Sequence, residues 1–247
     1  MVRRDIEIIN VLSTKNCSMK KQLIIILLLT FFVSYNYAQR KIYKPNYKKI
    51  EKEINKKKSD NYYPKLFARY QNNDTTLTEE QYTLLFYGAP SQPGYIPYGG
   101  STYSDSTGKL YDKKLLTLAD YDSAVYYENI GLKINPFSLR DLNILSYSYI
   151  KTGNDSLANL INFKKEKIIK TILSSGDGRT EERGFFVIMV SQEYDMLQIL
   201  GFDFSGEQTL TQTGCDYLGV KENKYNIKGL FFDVNKILEM EKKLLSN

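Results

Sequence analysis

Hydrophobic periodicity changes once along this chain, across the polar segment Ser174–Gly184 (SSGDGRTEERG). Before it, apolar residues recur three and four apart; after it, they come in short runs. A helix buries a stripe and a strand buries one face of a pleat, so a single change of period implies two kinds of layer sharing one core. The expectation is an α+β fold, with an N-terminal helical layer packed on a C-terminal antiparallel β-sheet and a closing helix. Ser174–Gly184 reads as a polar hinge between them. It has glycines and Arg179 but lacks the Lys-Ser/Thr ending of a phosphate loop.

The helical part is punctuated by local signals. Tyr43, Tyr47, Ile50 and Ile54 form one stripe of a helix within Tyr43–Lys58. Pro64 suits the first turn of a second helix running through Tyr70, with Leu66, Phe67 and Tyr70 facing inward. Thr78 and Gln81 form a capping box, and Leu77 and Tyr82 a hydrophobic staple, which starts a helix at Glu79 and carries it to Tyr87. Leu115, Leu118, Tyr121 and Val125 place an apolar stripe on Leu115–Ile134. Ala124, Gly131, Pro136, Leu142, Leu145, Ser146, Tyr149, Gly153 and Ala158 then follow the intervals of a tetratricopeptide-like helical hairpin. Small Ser146 and Ala158 let two helices approach, while Leu142, Leu145 and Tyr149 fill the seam. The pattern covers about Asp120–Ile172, too few units for a solenoid. Beyond the hinge, Phe185–Val190, Leu197–Phe204, Thr209–Leu218 and Ile227–Val234 read as strands, with a turn at Glu222–Asn226 and a helix over Asn235–Leu245. Met196–Leu200 also fits a short helix.

Lys20 and Lys21 lead into the apolar run Leu23–Val33, and Asn36-Tyr37-Ala38 closes it. That is the plan of a cleaved export signal. The run is about half the roughly 20 residues that a membrane span needs. Met19 then reads as the start, and Met1–Ser18 as an over-extension of the gene. The expected mature protein is a single domain over residues 39–247, without a stable membrane span. Removing residues 1–38 deletes Arg3, Arg4, Lys15, Lys20, Lys21, Asp5 and Glu7, which takes the formal charge from +6 to +3. The remaining basic excess lies in Arg40–Lys58, which reads as a solvated lysine-rich helix, so a nucleic-acid partner is not expected. With no histidine, Ser-His-Asp and Cys-His catalysis and imidazole zinc sites are excluded. Cys215 alone would remain after cleavage, so the core rather than a disulfide must hold the fold. Neither a metal nor another cofactor is expected.

Gly88–Asp112 carries Pro90, Pro93 and Pro97 with Tyr95, Tyr98 and Tyr103, and shows no sustained period. Such a loop either lines a ligand groove or lies across the surface as an arm. Tyr95 and Tyr98 are its candidate binding residues. Arg69 can grip a ligand carboxylate or form a structural pair with Asp74 or Glu80. Glu193 and Asp195 flank Tyr194, and two carboxylates across a cleft can hydrolyse a glycoside. Glu181 and Glu182 read as solvated. Asp203–Glu207 is too sparse in acidic ligands for calcium. Asp74-Thr75-Thr76, Asp105-Ser106-Thr107, Asp122-Ser123-Ala124 and Asp155-Ser156-Leu157 resemble an O-glycosylation acceptor used by some exporting bacteria. Asp-Ser pairs also arise at helix caps, which is the preferred reading for Asp122 and Asp155.

Tyr62-Tyr63-Pro64-Lys65-Leu66 with Arg69-Tyr70, Asp74–Thr78 and Tyr87-Gly88, then Glu193-Tyr194, Asp216–Leu218 and Gly229–Val234, together resemble a secreted family of Gram-negative bacteria filed as domain of unknown function number 4919. The resemblance implies export, to the periplasm or beyond the cell, and one domain organisation. It carries over no catalytic residue. The functional expectation is a non-catalytic binding or envelope-interaction protein, its partner a peptide, a glycan or another envelope protein. The alternative is a carboxylate-dependent hydrolase of glycan or peptide.

Overall fold

The first helix, α1 (Tyr47–Ile54), begins where the Asn46 side chain accepts a hydrogen bond from the Lys49 amide at 3.0 Å. Ile50 and Ile54 are its buried face. The computed structural model describes residues 42–98, 107–110 and 113–246. The export segment, Met1–Ser18, Tyr103 and the Asp105-Ser106 pair therefore lie outside the described residues. Helix α2 (Tyr63–Gln71) carries Pro64 in its first turn and buries Tyr63, Leu66 and Tyr70. Phe67 stacks between Tyr63 and Tyr70, at centroid separations of 5.9 and 6.4 Å.

Helix α3 (Glu79–Gly88) starts at the expected capping box, with Thr78 Oγ1 accepting from the Gln81 amide at 3.2 Å and Gln81 Oε1 from the Thr78 amide at 3.1 Å. It then buries Tyr82, Leu84, Leu85, Phe86 and Tyr87, more than one stripe, because it runs through the core rather than over it. A second capping box, Thr117 with Asp120, opens α4 (Leu118–Ile134). Here the expected stripe is displaced. Leu115 and Leu118 are 83% and 65% exposed, and the buried line is Ala124, Glu128 and Gly131. Small residues on that line let α4 lie close to α5 (Leu139–Lys151). A tight turn at Gly153 (φ +76°) joins α5 to α6 (Asp155–Ser174). Leu142, Leu145, Ser146 and Ala158 are buried in this hairpin, and Ser146 Oγ donates to the Ala158 carbonyl at 3.3 Å.

Four strands follow: β1 (Phe185–Phe186), β2 (Phe204–Leu210), β3 (Cys215–Val220) and β4 (Gly229–Asp233), in the order β1-β4-β3-β2. β2, β3 and β4 form the expected antiparallel meander, but β1 pairs parallel to β4, Phe185 opposite Phe232, so the sheet is mixed. The edge strand is also short, for a local reason. The apolar run from Phe185 yields only two strand residues before the chain bends at Ile188-Met189 into α7 (Ser191–Ile199). The Gln192 side chain holds that bend, accepting from the Ile188 and Met189 amides at 3.0 and 3.2 Å and donating to the Phe137 carbonyl at 3.1 Å. The run Leu197–Phe204 is thus the end of α7 and the first residue of β2, not a strand. Helix α8 (Asn235–Leu245) closes the chain at the expected bounds, with Ile237 buried.

Ser174–Gly184 is a knot rather than a free linker. Ser175, Gly176 and Gly178 are buried. The Arg183 carbonyl accepts from the Asp177 and Gly178 amides at 2.9 and 2.8 Å, and the Gly178 carbonyl accepts from Phe231 of β4 at 2.8 Å. Ser175 Oγ accepts from the Phe186 amide at 2.8 Å. With the Tyr87 hydroxyl donating to the Phe186 carbonyl at 3.2 Å, these bonds tie the helices to the sheet. Residues Ile42–Asn247 fall in one unit. Its described residues share a continuous apolar core running from Ile50 to Ile237.

Candidate functional site

Tyr95 and Ile96 of the Tyr/Pro loop close one side of an apolar cleft of about 420 Å³. Pro64 and Phe67 of α2 form the opposite wall, Ile188 and Met189 the floor, and the α4–α5 turn, with Ile134, the far end. The loop is fixed against the floor: the Tyr95 hydroxyl donates to the Ile188 carbonyl, and the Pro97 carbonyl accepts from the Val190 amide at 3.2 Å. Gln192 fixes the floor in turn, since the bend at Ile188-Met189 rests on its side chain. Two large apolar side chains, Ile96 and Ile134, stay 44% and 43% exposed on this cleft.

The carboxyl candidates lie elsewhere. Glu193 and Asp195 are two residues apart on α7, so they leave the helix on different sides. Glu193 is fully buried, and neither of its oxygens makes a hydrogen bond of ordinary geometry. Burial, followed by the charge of Asp216 on β3, pushes its pKa up to about 9, so the group is a neutral acid at pH 7. Asp216 accepts from Gln208 Nε2 at 3.0 Å, and Gln208 Oε1 accepts from the Tyr194 hydroxyl at 2.6 Å. Tyr98 is exposed and donates to Glu241 Oε2 of α8 at 2.9 Å. The structure therefore brings the loop and the segment before Glu193 together, but Glu193 itself is not a lining residue of the cleft.

Asp195 joins a second buried group. Its Oδ1 lies 3.9 Å from Arg140 Nε, and its Oδ2 has no hydrogen bond. Burial pushes its pKa up to about 6 against the pull of Arg140, and Asp141 adds to the rise. Glu128 of α4 is pushed up to about 7 by burial and by Asp141, with Thr107 and Arg140 opposing. Asp141 is itself raised by burial. Three carboxyls from three helices thus share one guanidinium. Among the described residues no set of three His, Cys, Asp or Glu has the geometry to hold a metal ion.

Arg140→Met is expected to destabilise the fold more at pH 8 than at pH 5. With folded pKa values raised, these acids contribute stability while protonated and lose it as pH rises through about 6 to 7. Removing the cation deepens that loss. Urea unfolding at both pH values checks this, and an equal loss at each would detach Arg140 from the carboxyls.

Arg69 makes a structural fork. Its Nε donates to Asp74 Oδ2 at 2.7 Å, one terminal nitrogen to Thr76 Oγ1 at 3.0 Å, and the other to Gln81 Oε1 at 3.4 Å. It braces the turn before α3. Thr75 is exposed on that turn, whereas Ser123 lies within α4 and donates to the Ala119 carbonyl at 2.8 Å. Sequence reasoning missed Gln192, Arg140 and Glu128 because their neighbours lie far away along the chain.

A helical layer knotted onto a four-stranded mixed sheet, with an apolar cleft beside a Tyr/Pro loop, defines an α+β domain. The chain belongs to the family described as domain of unknown function DUF4919, which it matches over residues 48–243. No curated protein and no solved structure gave a match.

Proposed function

We propose that this is an exported, non-catalytic binding protein whose apolar cleft takes the side chains of a peptide segment. The cleft itself carries the reading. Its walls are mainly proline, aromatic and aliphatic side chains, and Ile96 and Ile134 stay exposed on it. Sugar rings need several polar side chains around an aromatic platform, whereas apolar peptide side chains need concave hydrocarbon. Tyr95 sets the wall through its bond to the Ile188 carbonyl. The full burial of Glu193 supports the non-catalytic side, because a substrate has no route to its carboxyl in this conformation. Export rests on the plan of Lys20–Ala38.

Random peptides displayed on phage and selected on the folded domain should be enriched in Leu, Ile, Phe or Trp. Ile96→Asp should then weaken the selected peptides by at least about tenfold, which is roughly 1.4 kcal/mol. Tyr95→Phe, which frees the Ile188 carbonyl, should weaken them less. Peptides that bind Ile96→Asp as well as the original would overturn the assignment of the cleft. Turnover of a glycan or peptide that is lost in Glu193→Gln would favour the hydrolase reading.

A further inference from the structure

A second, smaller cavity of about 210 Å³ lies across the α4–α5 turn from the cleft, between α2, α4, α5 and α6. Lys133 and Pro136 stand between the two and line both. Into it reaches Lys164 of α6, only 8% exposed. Its Nζ sits 4.5 Å from the centroid of the Tyr70 ring, and Tyr70 is anchored by its hydroxyl donating to the Pro136 carbonyl at 2.7 Å. Among the described residues Lys164 has no ion pair and no side-chain hydrogen bond, and neither Asp nor Glu lines the cavity. Burial alone pulls its pKa down to about 8, with no compensating carboxylate.

A buried ammonium is normally paired, because desolvation without a partner is expensive. The ring face offsets only part of that. Leu132, Leu142, Leu145 and Ile161 give the cavity hydrocarbon walls. One cavity thus offers a cation without a carboxylate partner and an apolar lining.

We infer that this cavity binds a small organic acid, its carboxylate on Lys164 and its branched hydrocarbon body among the leucines. The inference goes beyond the cleft and does not depend on it. An inorganic anion has no use for the hydrocarbon end, and a neutral apolar molecule leaves the ammonium unpaired.

Calorimetric titration of the folded domain with isocaproate and isocaproamide tests it. The acid should bind saturably at pH 7, and the neutral amide at least about tenfold more weakly, as a lost charge-assisted hydrogen bond requires. Lys164→Met should remove the difference between acid and amide. Lys164→Met is not expected to unfold the chain, because it replaces a buried charge by an apolar side chain of similar length. Equal affinity for acid and amide, no saturable binding of the acid, or unchanged acid binding by Lys164→Met would each overturn the site.

Discussion

Glu193→Gln is expected to make the protein more stable than the wild type by several kcal/mol at pH 9, and no more stable near pH 5. The carboxyl is sealed between α7 and the sheet beside Asp216, and its pKa rises from 4.5 to about 9. The unfolded chain releases this proton near 4.5, while the folded chain keeps it. A folded pKa above the unfolded one gives stability that is fully present below 4.5 and is lost as pH rises towards 9. Each pH unit in that window removes about 1.4 kcal/mol, so the full loss is on the order of 6 kcal/mol as an upper bound. Glutamine has the shape of the protonated acid and never ionises, so the slope disappears. Its amide N–H can donate to the Asp216 carboxylate beside it, as the protonated acid can, so the two proteins should be about equally stable at pH 5. The two stability curves should therefore meet near pH 5 and diverge above it. Urea midpoints from pH 5 to 9 measure this, and parallel curves would show that Glu193 is charged or solvated in the native state.

How far the chain can be read without coordinates depends on whether the deciding contacts are local. The Thr78–Gln81 box, Pro64 at the head of α2 and the bounds of α8 are set by residues within one turn, and the structure places them as the periodicity does. Leu115 and Leu118 look like core on a helical wheel, yet α4 turns the line Ala124–Glu128–Gly131 inward. Close approach to α5 needs small residues, and that requirement overrides hydrophobicity. The edge strand β1 is short because Gln192 holds the bend that follows it, bonding that bend and a carbonyl 55 residues away. No periodicity carries that information.

The candidate site divides along the same line. Tyr95 could be named from the composition of its loop, but the cleft it closes is assembled from α2, the α4–α5 turn and the segment after β1. Glu193 and Asp195 look like a pair in the sequence because they are close in number. On a helix, residues two apart diverge, and their partners here are Asp216 and Arg140 respectively. Arg69 is the opposite case: Asp74 and Gln81 lie within a few turns of chain, and the structural pairing with Asp74 is visible at short range.

Gly176→Ala tests the junction that composition presents as a linker. A methyl group at Gly176 would lie 2.3 Å from the carbonyl oxygens of both Arg183 and Gly184. Both are backbone atoms, so no side chain can swing aside. The Arg183 carbonyl already accepts the Asp177 and Gly178 amides, and the Gly178 carbonyl accepts Phe231 of β4. Moving the chain to admit the methyl therefore breaks bonds that hold the sheet to the helices. Overpacking against fixed backbone, together with those lost bonds, should cost about 3 to 5 kcal/mol, a large part of a domain's total stability. Gly153→Ala is the comparison. Gly153 also turns the chain, at φ +76°, but an added Cβ there meets nothing within 4 Å, so only the left-handed strain of about 1 to 2 kcal/mol applies. Urea unfolding of the two variants separates the cases. If Gly176→Ala loses no more than Gly153→Ala, the segment yields under load and behaves as the flexible hinge its polar composition suggests. If it loses the larger amount, the glycines of Ser174–Gly184 are there for close backbone packing, and the two layers unfold together.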